Sequence, residues 1–174
     1  MFNKLCETKD YKIKPKWFLR QSGRHIPEYF SIRNKHDTFI DFCFDEQSII
    51  EATLLPLKYY NIDAVILFSD ILLIPHSLGQ KVTFKNNIGP ILHDIEFNDT
   101  FLKRNIILDN LSAIKNAIIK IKKLISPTTD LIGFCGAPWT LSCYMIEGGS
   151  SKDYLKTRRF LWDNEGMFIK LINK

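Results

Sequence analysis

Three arginines near the start of the sequence stand out because the chain otherwise obtains its positive charge from lysine. It contains 18 lysines but only 6 arginines, yet Arg20, Arg24 and Arg33 fall within fourteen residues. A guanidinium binds a carboxylate or phosphate through two parallel hydrogen bonds, which an ammonium cannot do. The cluster therefore favours a site for a polyanionic ligand, and chance clustering is the alternative that composition leaves open.

Asp70 is the carboxylate most suited to chemistry, because it follows the continuously apolar segment Ala64–Phe68. Such a segment is typical of a strand buried on both faces, and α/β folds place their active sites where strands end. Arg20 and Arg24 near Asp70 would form the polar floor of an anion site. A capping role for Asp70 and an internal Arg–Asp ion pair are the structural alternatives, and the pattern leaves them about even.

A third segment, Gly136–Leu141, leads from an apolar stretch into a helix through small residues, with Pro138 suited to the first turn. Tyr144 would lie one to two turns inside this helix, either packed in the core or touching a ligand. Gly148–Ser151 either offers backbone N–H groups to an anion or stops the helix and caps the next one.

The elements that position these residues alternate between strands and helices. Strands are predicted at 16–20, 64–68 and 130–136. A hairpin is predicted across residues 80–95, with helices at 27–33, at 47–60 with a break at Pro56, at 109–125, and from Asp153 to Leu171.

This order indicates an α/β fold with about three β/α units and a hairpin excursion. A closed (β/α)₈ barrel needs roughly 250 residues. The prediction for residues 1–174 is therefore a single domain in the form of an incomplete (β/α)₈ TIM-type barrel.

Composition excludes several classes of protein. The chain is 45% hydrophobic and 25% charged, with no apolar run long enough to span a membrane and a polar N-terminus without a signal peptide. These features predict a cytoplasmic protein whose four cysteines are reduced thiols. The net charge of +5 comes from scattered lysines, which argues against nucleic-acid and membrane partners. Since no metal-ligand spacing and no nucleotide motif occurs, no metal and no cofactor is expected.

Three long motifs carry a resemblance to a known family. Pro15–Tyr29 (PKWFLRQSGRHIPEY), Asp63–Pro75 (DAVILFSDILLIP) and Gly133–Ser151 (GFCGAPWTLSCYMIEGGSS) are similar to the signatures of uroporphyrinogen decarboxylase, in the same order. The likeness runs through essentially the whole chain.

The resemblance implies a distorted (β/α)₈ barrel, homodimeric in the family. It would remove carboxyl groups from the four acetate side chains of uroporphyrinogen III, giving coproporphyrinogen III without metal or organic cofactor. Asp70 matches an aspartate that binds the pyrrole N–H groups and stabilises the cationic intermediate. The remaining matched positions are substrate-binding: Arg20, Gln21, Ser22, Gly23, Arg24 and Tyr144. Arg20 is also a catalytic candidate, although a guanidinium gives up its proton too reluctantly to be a good general acid.

The sequence departs from the family in two small ways and one large way. Ser22 stands where alanine is usual, and His25 where tyrosine is usual. Family members are about twice as long, and a serine and a histidine that touch substrate lie in the part without a counterpart here. The expectation is a chain inactive alone, which depends on a complementary C-terminal half. The alternatives are a non-catalytic remnant or interaction module and, less favoured, a corrinoid-linked methyltransferase relative.

Overall fold

The computed structural model describes residues 14–85, 87–105 and 108–174. Its described residues fall into two compact units, one drawn from Met1–Ser69 with Leu111–Phe134 and the other from Asp70–Asn110 with Cys135–Lys174. In chain order the elements are α1 Pro27–Arg33, α2 Phe39–Phe44, α3 Glu46–Leu54, a 3₁₀ turn Leu55–Lys58, β1 Ala64–Ile66, α4 Leu73–Ser77, β2 Val82–Lys85, β3 Gly89–Leu92, α5 Asp99–Leu102, α6 Leu108–Leu124, β4 Asp130–Ile132, α7 Pro138–Glu147, α8 Leu155–Asp163 and α9 Glu165–Ile172.

The first unit contains a parallel pair of strands. β1 and β4 lie side by side with Val65 opposite Leu131, and the Leu67 N–H extends the ladder to the Ile132 carbonyl at 2.9 Å. Two of the three predicted strands are therefore confirmed, although both are shorter than the apolar runs that predicted them. Parallel strands need a long crossover connection, and here the whole segment from residue 67 to residue 129 supplies it.

The predicted strand at residues 16–20 is wrong, because this segment forms no ladder in the structure. Only Lys16 pairs with the start of β1: its carbonyl accepts from the Asp63 N–H at 2.8 Å, and its N–H donates to the Asp63 carboxylate at 2.7 Å. Beyond Lys16 the backbone of this segment makes no further pair with β1, and the side chain of Gln21 bonds to the strand instead.

Two hydrophobic clusters form the core of the first unit. One groups aromatic and aliphatic side chains from α1, α2 and α3, with the Phe42 and Phe68 rings 4.5 Å apart. The other packs α3 and Leu67 of the strand region against Ala117 and Ile121 of α6. The helix predicted at 109–125 is confirmed as α6, and its Ile114, Ile118 and Ile125 also pack against this second cluster, as residues spaced by three to four on one helix face do.

The helix predicted at 47–60 is confirmed together with its break. The α-helix begins after Asp45, whose carboxylate accepts from the Ser48 N–H at 2.8 Å, and it ends at Leu54. Pro56 lies in the 3₁₀ turn that follows, because proline lacks the N–H that an α-helix interior requires. The helix predicted at Pro27–Arg33 is observed with the same bounds.

The second unit is built around the predicted hairpin, which is confirmed. β2 and β3 pair antiparallel with Val82 opposite Leu92. The buried side chain of Gln80 holds the hairpin to α7, because its amide nitrogen donates to the carbonyls of His93 and Met145, each at 3.0 Å. The Leu92 N–H donates to the Gly148 carbonyl at 3.0 Å, which fixes the loop after α7 beside β3.

A single helix from Asp153 to Leu171 was expected, and the structure divides it into α8 and α9. Asn164 adopts φ −140° and ψ 48°, so the helix cannot pass through it. Its N–H still closes α8 on the Phe160 carbonyl at 2.9 Å, and its carbonyl opens α9 by accepting from the Phe168 N–H at 3.0 Å. The break turns Phe168 toward Trp139, with ring centroids 5.5 Å apart.

None of the helices in the described part of the chain is both long and apolar enough to cross a membrane. The cytoplasmic location stays a prediction from the sequence. The three cysteines within the described ranges (Cys43, Cys135 and Cys143) are free thiols, and Cys6 lies outside those ranges.

Candidate functional site

The site residues predicted from the sequence fall into two groups, one in each unit. Arg20–Arg24 belongs to the first unit, whereas Asp70 and Tyr144 belong to the second. Each group is therefore built up from its own elements.

Arg20 and Arg24 are exposed, and neither forms an ion pair with a described residue of its own unit. Their guanidinium groups therefore keep their full hydrogen-bonding capacity for a ligand. Arg33, the third arginine of the cluster, is used structurally instead, because its Nη1 donates to the His36 carbonyl at 2.7 Å.

Gln21, which directly follows Arg20 in the sequence, is buried, with only 4% of its surface exposed. Its Nε2 donates to the Ala64 carbonyl and its Oε1 accepts from the Ile66 N–H, both at 2.9 Å. Both ends of the amide are thus engaged by β1. Sequence reasoning identified Gln21 only through the family resemblance and missed this contact, which no local pattern indicates.

The residues that follow Gln21 form a turn that leads into α1. The Ile26 N–H donates to the Gly23 carbonyl at 3.0 Å, which closes a turn that begins at Gly23. Gly23 does not have a positive φ, and an added Cβ would meet only His25 at 3.7 Å, so the turn itself does not demand glycine. The Ser22 hydroxyl is buried without a hydrogen-bond partner among the described residues.

Asp70 lies where the sequence placed it, after β1, and it is half-buried. One carboxyl oxygen accepts from the Leu72 N–H at 2.8 Å, an Asx turn that leads into α4. Burial raises the pKa of Asp70, and the Leu72 N–H offsets only part of that effect. Asp70 is therefore not the N-cap of α4, because Leu72 holds that position and no side chain caps the helix. The Asx turn uses one of the two carboxyl oxygens. Because the carboxyl group is poorly solvated, its charged form is disfavoured unless a ligand or another group compensates the charge.

The segment after Asp70 packs against the start of α7, which brings the second and third motifs together. A Cβ on Gly136 would lie 2.7 Å from the Leu141 side chain and 3.2 Å from the Cβ of Ile71. Glycine is needed here so that the two segments can approach closely. In the sequence, the two small residues before Pro138 indicate such a close approach. They do not indicate that Ile71 is the residue that packs against Gly136.

Tyr144 lines a small cavity of about 60 Å³ that lies wholly within the second unit. Its walls come from α7 and the loop that follows: Trp139, Thr140, Cys143, Gly149, Ser150, Ser151 and Tyr154. Tyr154 has a left-handed backbone, with φ 50°, which costs about 1 kcal/mol for a residue other than glycine. Cys143 in the same wall is buried, and this burial raises the pKa of its thiol, which disfavours the reactive thiolate form.

The loop Gly148–Ser151 stops α7 as the structural alternative predicted. Gly148 has φ +80°, and its N–H donates to the Tyr144 carbonyl at 3.0 Å, which is a left-handed helix cap. The Ser151 hydroxyl accepts from the Tyr154 N–H at 3.1 Å, but Ser151 does not bond to the first turn of α8. Glu147 caps that turn, by accepting from the Thr157 N–H at 2.8 Å.

Comparison with known proteins decides the family. The model of the family Uroporphyrinogen decarboxylase (URO-D) matches residues 1–174. The chain belongs to the uroporphyrinogen decarboxylase family. The decarboxylase of Rickettsia canadensis is 43% identical over 160 residues, which is 91% of this chain and 47% of that protein. The decarboxylase of Rickettsia massiliae is 43% identical over 165 residues, covering 94% of this chain and 47% of the relative. The chain thus spans about half the length of these curated decarboxylases.

A solved structure supports the fold. A methyltransferase from Methanosarcina mazei superposes with a TM-score of 0.65 over 91% of this chain and 46% of its own length. The sequences are 13% identical, so this likeness shows a shared α/β fold and carries no argument about methyl transfer. The URO-D match, in contrast, rests on the sequence itself, including the three motifs that hold the candidate site residues.

Proposed function

We propose that this chain supplies one wall of a uroporphyrinogen decarboxylase active site. The reaction would convert uroporphyrinogen III to coproporphyrinogen III by loss of four acetate carboxyl groups, with no metal or organic cofactor. The observation that carries the proposal is the family match over all three motifs, combined with two exposed arginines that no described residue of their unit neutralises.

Asp70 would act on the pyrrole ring. Its carboxylate would accept hydrogen bonds from pyrrole N–H groups and stabilise the cation formed when a ring carbon is protonated. The bond between the acetate methylene and its carboxyl carbon then breaks, and CO₂ leaves while the electron pair forms a double bond to the ring and neutralises the cation. A proton from solvent then adds to the methylene carbon, and the proton first added to the ring carbon leaves, which gives the methyl group of the product. Burial that raises the pKa of Asp70 supports this role, since a poorly solvated carboxylate gains most from a cation arriving beside it.

Arg20 and Arg24 would hold carboxylates of the substrate. Each guanidinium can bind one carboxylate with two parallel hydrogen bonds, and the substrate carries eight. Ser22 and Gly23 connect the two arginines and would border the same substrate edge. Tyr144, in the cavity wall of the second unit, would contact the tetrapyrrole through its ring or hydroxyl.

The proposal includes a complementary C-terminal half, since the chain spans about half the length of its relatives. It also includes the incomplete (β/α)₈ barrel as its fold. The parallel pair of β1 and β4 supports such a barrel, as does the likeness of the chain to about half of a larger structure. The family's homodimer would then form only after the two halves associate.

A chimera tests the function. This chain would replace the matching 47% of the Rickettsia canadensis decarboxylase, and uroporphyrinogen consumption would be followed by chromatography of the oxidised porphyrins. An active chimera, with an inactive isolated chain, is the expected result. A folded chimera without activity would overturn the proposal and favour a non-catalytic remnant or interaction module.

Two variants of the chimera assign the roles. Asp70→Asn is expected to lower turnover by about 100-fold or more, because a preorganised charge at the reacting centre is lost. Arg20→Ala with Arg24→Ala is expected to raise KM more than it lowers kcat, since binding is lost in both the ground state and the transition state.

A further inference from the structure

The Gln21 side chain bonds to β1 as a strand neighbour would. In a parallel ladder, one residue of the neighbouring strand donates its N–H to the carbonyl before the residue it faces and accepts through its C=O from the N–H after it. The Gln21 amide does both around Val65: Nε2 donates to the Ala64 carbonyl at 2.9 Å, and the Ile66 N–H donates to Oε1 at 2.9 Å. A side-chain amide thus replaces the N–H and C=O of a neighbouring strand residue on this edge of β1.

Two anchors hold the segment that carries the arginines. The first is Lys16, which exchanges hydrogen bonds with Asp63 at 2.7 and 2.8 Å. The second is Gln21 itself. Between them Leu19 is 84% exposed, and Phe18 makes an edge-on contact with Tyr60, with ring centroids 6.1 Å apart, so packing fixes this part of the chain only in part. The position of Arg20 therefore depends on the residue that directly follows it.

Few side chains other than glutamine can make both of these hydrogen bonds from position 21. A group at position 21 must donate to one backbone atom and accept from another, about four bonds away from its own Cα, within a buried environment. Glutamate reaches but cannot donate when ionised, and its charge would face the Ala64 carbonyl. Asparagine has the right atoms but is one methylene shorter. Methionine fills the space and offers neither bond.

We propose that Gln21 is a positioning residue for the anion site of Arg20 and Arg24. Its amide fixes the segment to β1, so that the two guanidinium groups are held in a defined relation to the strand that leads to Asp70. The ligand part rests on the proposed function, namely that the arginines bind a polycarboxylate tetrapyrrole. The anchoring itself rests on the two hydrogen bonds alone.

The first test measures the anchor without any ligand. Backbone ¹⁵N order parameters of Arg20 and Arg24, and hydrogen exchange at the Ile66 amide, would be compared in the wild-type chain and in Gln21→Asn. The expected result is rigid backbone in the wild type, order parameters below about 0.6 in the variant, and at least tenfold faster exchange at Ile66. Gln47→Asn is the matched control, because Gln47 is exposed and bonds only to Glu51. Unchanged order parameters in Gln21→Asn would overturn the proposal.

The second test asks whether Gln21 acts through the arginines. Binding of uroporphyrin, the stable oxidised octacarboxylate, would be measured by fluorescence titration in the chimera with the remainder of the Rickettsia canadensis decarboxylase. The segment from this chain would be the wild type, Gln21→Asn, Arg20→Ala/Arg24→Ala, or the combined variant. We expect about tenfold weaker binding in Gln21→Asn and no further loss when it is added to the arginine pair. Equal losses in both backgrounds would show a merely structural role and overturn the proposal.

The outcomes also separate the two proposals. If the wild-type chimera fails to bind uroporphyrin while the order parameters fall in Gln21→Asn, the ligand assigned under the proposed function is wrong and the anchoring stands. If uroporphyrin binds and Gln21→Asn changes neither its affinity nor the order parameters, the positioning role is wrong and the proposed function stands.

Discussion

Glu147, the last residue of α7, caps a helix other than its own. Its Oε1 accepts from the backbone N–H of Thr157 at 2.8 Å and from the Thr157 hydroxyl at 2.9 Å. Thr157 lies in the first turn of α8 and is fully buried, at 0% exposure. The contact ties the two ends of the loop Gly148–Ser151 together and so supports the cavity that Tyr144 lines.

Removing this cap should destabilise the chain. Glu147→Ala would leave two buried donors of Thr157 without an acceptor, so we expect a loss of about 2–3 kcal/mol in the free energy of unfolding. Glu147→Gln keeps one carbonyl oxygen and should lose about 1 kcal/mol. Urea denaturation measures both, with Glu96→Ala as the control on an exposed loop. A Glu147→Ala loss no larger than that of Glu96→Ala would contradict the capping role.

Gly149 is a position where only glycine fits. Its φ of +157° is unfavourable for other residues, and an added Cβ would lie 2.9 Å from the Pro90 carbonyl oxygen of β3. Gly149→Ala should therefore lose about 1–3 kcal/mol in the free energy of unfolding, because β3 and the loop must move apart.

Gly166→Ala provides the matched comparison in the same unit. Gly166 is the second residue of α9, with nothing within 4 Å of an added Cβ, so alanine should stabilise the helix by up to about 0.5 kcal/mol. Thermal unfolding of the two variants should thus shift in opposite directions. Equal shifts would show that the close approach to Pro90 does not matter.

At neutral pH, an ionised Asp70 should make the chain less stable than an uncharged residue at the same position would. Burial raises the pKa of Asp70 above its ordinary value of 3.8, so the folded chain binds a proton more tightly than the unfolded chain. The stability from this group is fully present below pH 3.8 and is lost as the pH rises through the folded pKa.

Asp70→Asn keeps the oxygen that accepts from the Leu72 N–H and removes the charge. We therefore expect a higher Tm than wild type at pH 7 and a difference that shrinks as the pH approaches 3. Asp94→Asn, on the exposed surface, controls for the loss of one negative charge. A Tm of Asp70→Asn below that of wild type at pH 7 would contradict the assigned effect of burial.

The sequence predicted the elements whose signals are local. The spacing of isoleucines found α6, the turn residues found the hairpin, and Pro56 placed the break after α3. Two predictions were wrong, one because of a contact between distant parts of the sequence and the other because of the backbone angles of a single residue. Residues 16–20 look like a strand, but the Gln21 amide replaces the backbone pairing that would make one. The helical pattern after Asp153 continues through Asn164, and only the backbone angles of that residue show the break.

The site was predictable in its residue types but not in their surroundings. Charge and position identified Asp70, Arg20 and Arg24. The hydrogen bond from Leu72 and the close packing of Ile71 on Gly136 depend on tertiary structure, which composition and periodicity do not encode.

Leu19 tests whether a second half covers the first unit. Because this side chain is 84% exposed, Leu19→Ser should change the stability of the isolated chain by less than about 0.5 kcal/mol. In the chimera with the remainder of the Rickettsia canadensis decarboxylase, we expect the same substitution to lose about 1–2 kcal/mol, since a covered leucine would then be exchanged for a hydroxyl.

Ile88→Ser is the control for this comparison, because Ile88 is an exposed residue in the turn of the hairpin. It should be neutral in both contexts if that turn stays in solvent. The informative quantity is the difference between the Leu19 effects in chimera and isolated chain, which cancels any change intrinsic to the segment. A difference near zero would show that the added half does not cover Leu19, and the proposed assembly would then need a different contact surface on the first unit.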